Sequence, residues 1–157
     1  MSEPLAAPFR DRPDFHETDP GVFAVDALEF EARVTVEGET ATLVQELPTL
    51  DGTVVGETVA PVVAAGWEET FERRVADVTG VVDPVAGPTV ETDGETVRVT
   101  MELADGGKPV AEAVRHAVDF VESTWVEGII PGYDYDERVR RIRNRAMETG
   151  ENGASMN

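Results

Sequence analysis

The side chains that could carry acid–base or metal chemistry in this 157-residue chain are few in kind. Its two histidines stand far apart, His16 near the start and His116 within a stretch of helical periodicity. His116 lies one helical turn from Glu112 and from Phe120, which suits a ring packed at the edge of an apolar stripe; a metal site needs further ligands at fixed spacing. Glu68, Glu69 and Glu72 could supply paired carboxylates for proton transfer. Among 32 acidic residues, however, such proximity has little specificity, and a solvated helix face accounts for it. Asp134-Tyr135-Asp136 opens like a calcium loop but lacks the later glycine and bidentate glutamate that complete one. Asp105-Gly106-Gly107-Lys108-Pro109 sets a lysine behind two glycines without phosphate-loop spacing. Pro109 also removes a backbone donor where a phosphate would need one, so a turn before a helix is expected. The dinucleotide fingerprint and the G-x-S-x-G elbow are absent. With no cysteine there is no thiolate nucleophile, disulfide or Cys-type zinc site. No catalytic residue, metal site or cofactor is predicted.

Recognition chemistry is better represented. The stretch Gly128-Ile129-Ile130-Pro131-Gly132-Tyr133-Asp134-Tyr135-Asp136 places both tyrosines of the chain beside two isoleucines, with a proline and two glycines setting a bend. Tyrosine gives contact area at low entropic cost and can also hydrogen-bond, so the bend suits a recognition surface. The simpler reading, and the favoured one, is that Ile129, Ile130 and Tyr133 plug one end of the core and lock the following helix to the body. That helix carries five arginines between residues 138 and 145, while the rest of the chain is strongly acidic. Three readings compete for it: docking on its own body, contact with another protein, or nucleic-acid binding. Ile129, Ile130, Tyr133, Tyr135, Arg140 and Arg143 are the candidate partner-binding residues.

Periodicity defines the elements that must position these groups. Leu28, Phe30, Ala32, Val34 and Val36 alternate with polar residues, giving a strand with one apolar face. A turn at Glu37-Gly38-Glu39 leads to a second strand from about Thr40 to Leu47, closed by Pro48. Short strands are possible at Val22–Val25 and Thr53–Gly56. Between Pro61 and Thr79, Val63, Trp67, Phe71, Val75 and Val78 recur at helical spacing, with Gly80 as the stop; Gly66 weakens the first turn. A second hairpin, Thr89–Thr92 and Thr96–Leu103, turns on Asp93-Gly94. A second helix starts near Pro109 and buries Val110, Ala113, Val114, Ala117, Val118, Val121 and Trp125, ending at Gly128. Asp134 and Glu137 have capping-box spacing, so a third helix is predicted from about Tyr135 to Thr149. Its apolar stripe is Tyr135, Val139, Ile142 and Ala146, and its acids precede arginines by one turn.

The segments GETATLVQEL from Gly38 and GETVRVTMEL from Gly94 agree at Gly, Glu, Thr, Glu and Leu, and each precedes a helix that starts near a proline. Duplication of a hairpin-plus-helix unit would account for this. The economical architecture is α+β: an antiparallel sheet of four or five strands, built from two β-hairpins, with two helices packed on it and a third C-terminal helix. Residues 1–21, with four prolines, are expected to form an irregular arm, residues 22–149 a single domain, and residues 150–157 a disordered tail.

Charge sets the remaining bounds. The net charge is -19, and 12 of the 13 basic residues are arginine. Such a body repels phosphate backbones and anionic lipid, which disfavours nucleic acid as a partner. No apolar run approaches the roughly 20 residues of a membrane-spanning helix. The opening MSEPLAAPFRDRPDF lacks the character of a secretory signal, so a cytoplasmic location is expected. At about 1 M salt the Debye length falls to roughly 3 Å and self-repulsion is screened. The distributed carboxylates therefore suit a salt-rich cytosol, where they hold hydration and keep the protein soluble.

The run TWVEGIIPGYDYDERV, with GWEETFERRVADV and DGETVRVTMEL, resembles an uncharacterised family of halophilic archaea, a domain of unknown function; the resemblance spans about residues 20–145 and implies no activity. The order of strands and helices is also similar, at fold level, to type III secretion chaperones, which grip partner segments as dimers; fold alone does not assign function. The leading functional expectation is a non-catalytic cytoplasmic protein that binds another protein, as an adaptor or chaperone-like homodimer. The alternatives are a small enzyme using carboxylate acid–base chemistry and a regulator contacting nucleic acid through the Arg-rich helix.

Overall fold

The alternation along residues 32–36 puts apolar side chains on one face of a strand, and the computed structural model, which describes residues 3–26, 29–105 and 109–144, builds a sheet on that pattern. Helix α1 (Glu3–Arg10) is followed by strands β1 (Phe15–Asp19), β2 (Val22–Val25), β3 (Ala32–Glu37) and β4 (Thr40–Pro48). Helix α2 (Pro61–Val75) continues as a 3₁₀ turn over Ala76–Gly80. Strands β5 (Ala86–Asp93) and β6 (Thr96–Leu103) and helix α3 (Val110–Glu127) come next. Helix α4 begins at residue 137 and is described as far as 144. The strands form one antiparallel sheet in the order β1-β2-β3-β4-β6-β5.

The α+β class is as expected, but the sheet has six strands where four or five were predicted. The additional strand and a helix come from the segment read as an irregular arm. Phe9 of α1 is fully buried, edge-on to Phe15 at 5.0 Å and stacked on Phe23 at 5.3 Å. Burial of these rings offsets the backbone donor that Pro8 removes from so short a helix. FHETD in β1 shows no alternation because it is an edge strand with Phe15 alone turned inward.

Strand β3 starts later than Leu28, which lies outside the described residues. The backbone N–H groups of Glu29 and Phe30 donate to the Glu122 carboxylate of α3 at 3.1 and 3.3 Å, so they do not enter the ladder. The short strand possible at Thr53–Gly56 is not formed: Asp51–Thr53 is a 3₁₀ turn and Val54 makes only a single bridge with Tyr135. Strand β5 begins before Thr89, at Ala86, and includes a cis bond between Gly87 and Pro88. A Cβ at Gly87 would stand 2.8 Å from the Thr100 carbonyl, so only glycine lets β5 approach β6 there.

Ala32, Val34 and Val36 of β3, Ala41, Leu43, Gln45 and Leu47 of β4, and Val97, Val99, Met101 and Leu103 of β6 all face inward and are buried. Helix α3 covers this face, while α2 lies beside α3, so the opposite face of the sheet is left to solvent, as antiparallel sheets permit. The repeat read in the sequence has a geometric counterpart. Strands β4 and β6 pair directly, and Val44 meets Thr100, the two residues holding the same position within the ten-residue match.

The last helix departs from its predicted start. Val55 N–H donates to the Asp134 carbonyl and Asp136 N–H to the Thr53 carbonyl, both at 2.8 Å, which holds residues 134–136 extended. The cap is therefore Asp136, whose Oδ1 accepts from Val139 N–H at 3.3 Å, and not Asp134. Val139 and Ile142 are buried as expected. Ala146, Gly106–Lys108 and the tail at 150–157 lie outside the described residues.

Candidate functional site

The spacing of Trp67 and Phe71 puts both rings on one side of α2, where they stack at 5.2 Å with planes 8° apart. Trp67 then meets Trp125 of α3 edge-on at 6.1 Å. Trp125 is fully buried and donates its indole N–H to the Pro48 carbonyl at 2.8 Å. The Trp67 indole N–H is buried with no hydrogen-bond partner. A Cβ at residue 128 would stand 3.0 Å from that nitrogen, which explains glycine where α3 ends.

Beyond Gly128, Ile129–Pro131 line a groove of about 450 Å³ together with α2 and the end of α3. Its wall is chiefly apolar: Val62, Val63, Trp67, Phe71, Ile129 and Ile130. Val62, in the first turn of α2, is 79% exposed. Arg74 and Glu127 face each other across the rim at 4.0 Å. Gly66 also lines the groove, and a Cβ there would touch nothing within 4 Å. Glycine in a helix interior costs about 0.5–1 kcal/mol relative to alanine. Neither backbone nor packing requires it at 66; its effect is to keep the groove deep.

The segment from residue 129 is pinned by Tyr135. Its ring is buried, and its hydroxyl accepts from the Ile130 N–H at 3.2 Å while donating to the Ile130 carbonyl. Burial raises the proton affinity of that hydroxyl, opposed by the bond to Ile130 and by the Arg143 charge. Tyr133 is half-buried, edge-on to Tyr135 at 6.4 Å. The structure thus brings Ile129 and Ile130 into the groove wall and places Tyr135 beneath it as a fastening. Arg140 and Arg143 are exposed on α4. Helix α4 rests on its own body: Val139 and Ile142 enter the core, and Arg141 pairs with Glu29 at 2.7 Å and with Glu137 at 3.5 Å. Arg138 pairs with Asp136 at 2.7 Å.

Two buried carboxylates escaped the sequence reading. Glu122 is 8% exposed and its Oε2 accepts from two backbone amides; the Glu29 side chain is equally buried and grips Arg141. Both hold the junction of α3, β3 and α4. Glu122 had a legible signal, since it interrupts the apolar stripe between Val118 and Trp125. The groups first considered for chemistry do not converge. His116 stands 4.0 Å from Glu112 and His16 is 2.9 Å from Asp26, both at the surface. Among the described residues, no cluster of three or more histidine or carboxylate groups could hold a metal ion.

The family model for DUF5813, a family of unknown function, matches residues 10–145. The chain belongs to this family. No curated protein and no solved structure matches the DUF5813 chain, so the likeness to type III secretion chaperones gains no support from them. Among its described residues no helix is long and apolar enough to cross a membrane.

Proposed function

We propose that this DUF5813 protein is a non-catalytic binding module that receives an apolar segment of another protein in the groove between α2 and α3. The observation that carries the reading is Gly66: a helix-interior glycine with free space around it, at the wall of an apolar groove that also exposes Val62. Binding grooves of this kind are apolar with few polar groups, and here Ile129 and Ile130 supply the wall that the sequence marked for recognition. The buried carboxylates are spent on backbone amides and a guanidinium, so they offer no free acid–base pair. In the same reading the acidic surface is an adaptation to a salt-rich cytoplasm.

Affinity isolation from native high-salt lysate tests this, comparing the wild-type chain with Gly66→Leu, which fills the groove without touching the core. A stoichiometric partner recovered by the first and lost by the second is expected. Equal recovery by both, or by neither, would remove the groove from consideration.

A further inference from the structure

The residues that lead into α2 and open it are free of charge and largely exposed. From Thr58 to Trp67 no residue is charged, in a chain whose net charge is -19. Within that run Ala60, Pro61, Val62, Ala65 and Gly66 are exposed. Val55, Val62 and Val85 are the large apolar side chains that the described residues expose, and of the three only Val62 stands on the groove wall. It lies one helical turn before Gly66, so a protruding side chain and a gap share one flank of a single helix. Such a pair is self-complementary under a two-fold axis. When two copies of α2 run antiparallel about a point level with residue 64, Val62 of each faces Gly66 of the other, and one contact forms twice. Ala65 and Gly66 have no bulk to hold the helices apart. The same arrangement carries the basic last turn of each α2, where Arg73 is exposed, towards the segment ahead of the other α2, where Glu57 is exposed.

We infer that, until a partner takes it, the groove is capped by a second copy of this chain: two α2 helices pack antiparallel across a two-fold axis, each seating Val62 over the Gly66 of the other. The inference rests on the docking reading and adds its regulation, since a partner then has to displace the cap. Charge decides where two such bodies can meet. Each repels the other, but at about 1 M salt the repulsion is screened beyond roughly 3 Å, and the strip at 58–67 adds none of its own. The open face of the sheet is a poorer meeting place, because Arg33, Glu46, Arg98 and Glu102 stand on it and would have to be desolvated.

The test uses the full-length protein in molar KCl. Sedimentation equilibrium should find a dimer whose dissociation constant falls as KCl rises from tens of millimolar to molar. Val62→Ala, at an exposed helix position, keeps the fold and should weaken the dimer about a hundredfold, because two methyl groups are lost from each of two sites at roughly fourfold apiece. The chain has no cysteine, so a mixture of the Val62→Cys and Gly66→Cys variants holds thiols only at the pair in question. Oxidation should join the two variants to each other in preference to either with itself, since a disulfide needs Cα atoms within about 7 Å. A monomer up to millimolar concentration, a dimer indifferent to Val62→Ala, or cysteine variants that join themselves as readily as each other would overturn the inference; the docking reading is then decided by lysate recovery alone. A partner recovered from lysate should hold one copy of this chain, and a complex that keeps the α2 dimer intact overturns the cap. A dimer that meets every expectation, with lysate recovery equal for wild type and Gly66→Leu, upholds the second copy as the occupant and removes the docking of another protein.

Discussion

Gly66→Ala separates stability from function more cleanly than any other substitution in this chain. In a helix interior alanine is favoured over glycine by about 0.8–1 kcal/mol, chiefly through backbone entropy. That gain is realised only if the new methyl group meets no neighbour, and here nothing lies within 4 Å of it. No left-handed conformation is involved at this position, so no strain subtracts from the gain. A domain of this size gains about 2–4 °C in Tm per kcal/mol, so scanning calorimetry in fixed KCl should show the variant melting about 2–4 °C higher. Gly66→Leu should be at least as stable as wild type, yet lose the partner. Either variant melting below wild type would show that residue 66 is packed or that the helix is broken there, and the case for a groove kept open at some cost in stability would fail.

Other outcomes follow from particular contacts. Glu122→Ala removes the carboxylate that accepts from the Glu29 and Phe30 amides and should cost about 2–3 kcal/mol in urea unfolding, whereas Glu122→Gln keeps an acceptor oxygen and should cost less; equal losses would contradict the contact. Burial raises the Tyr135 pKa, so the folded chain holds this proton more firmly than the unfolded one. Its contribution is complete below about pH 10 and is lost as pH rises through the folded value; Tyr135→Phe should flatten the alkaline arm of the stability curve. The Arg12 guanidinium, hydrogen-bonded to Asp14, lowers that carboxyl's pKa. The stabilisation is present above the ordinary aspartate range and lost as pH falls through the folded value, and Asp14→Asn should reduce the acid slope. Finally, Tm should climb markedly as KCl rises from tens of millimolar to multimolar; a level response would show that the acidic surface is not an adaptation to salt.

The readable parts of the fold were those where one face decides the period. Strand β6 occupies Thr96–Leu103 as predicted, and α3 starts after Pro109 and ends before Gly128 because a long apolar stripe and its end signals agree. The misread parts depend on contacts distant in sequence. Strand β1 exists because Phe15 joins Phe9 and Phe23, and no local alternation announces it. Strand β3 is shortened by a glutamate some ninety positions away, and the cap of α4 moves from Asp134 to Asp136 because Thr53 and Val55 hold the intervening backbone extended. For the candidate site, composition singled out Ile129 and Ile130, which line the groove. It did not show that they face Trp67, or that Gly66 is a gap in a wall and not merely a weak point in a helix.

The pairing of β4 with β6 has a consequence for how such a chain can be cut. Because equivalent residues of the two halves cross at Val44 and Thr100, the register is self-complementary. A fragment ending after Gly80 would expose β4 as a bare edge, and the β4 of another fragment would fit it with Ala41, Leu43, Gln45 and Leu47 all turned inward. The middle of the sheet is thus a seam at which half of the molecule has, in its twin, a geometrically acceptable substitute for the half it lacks.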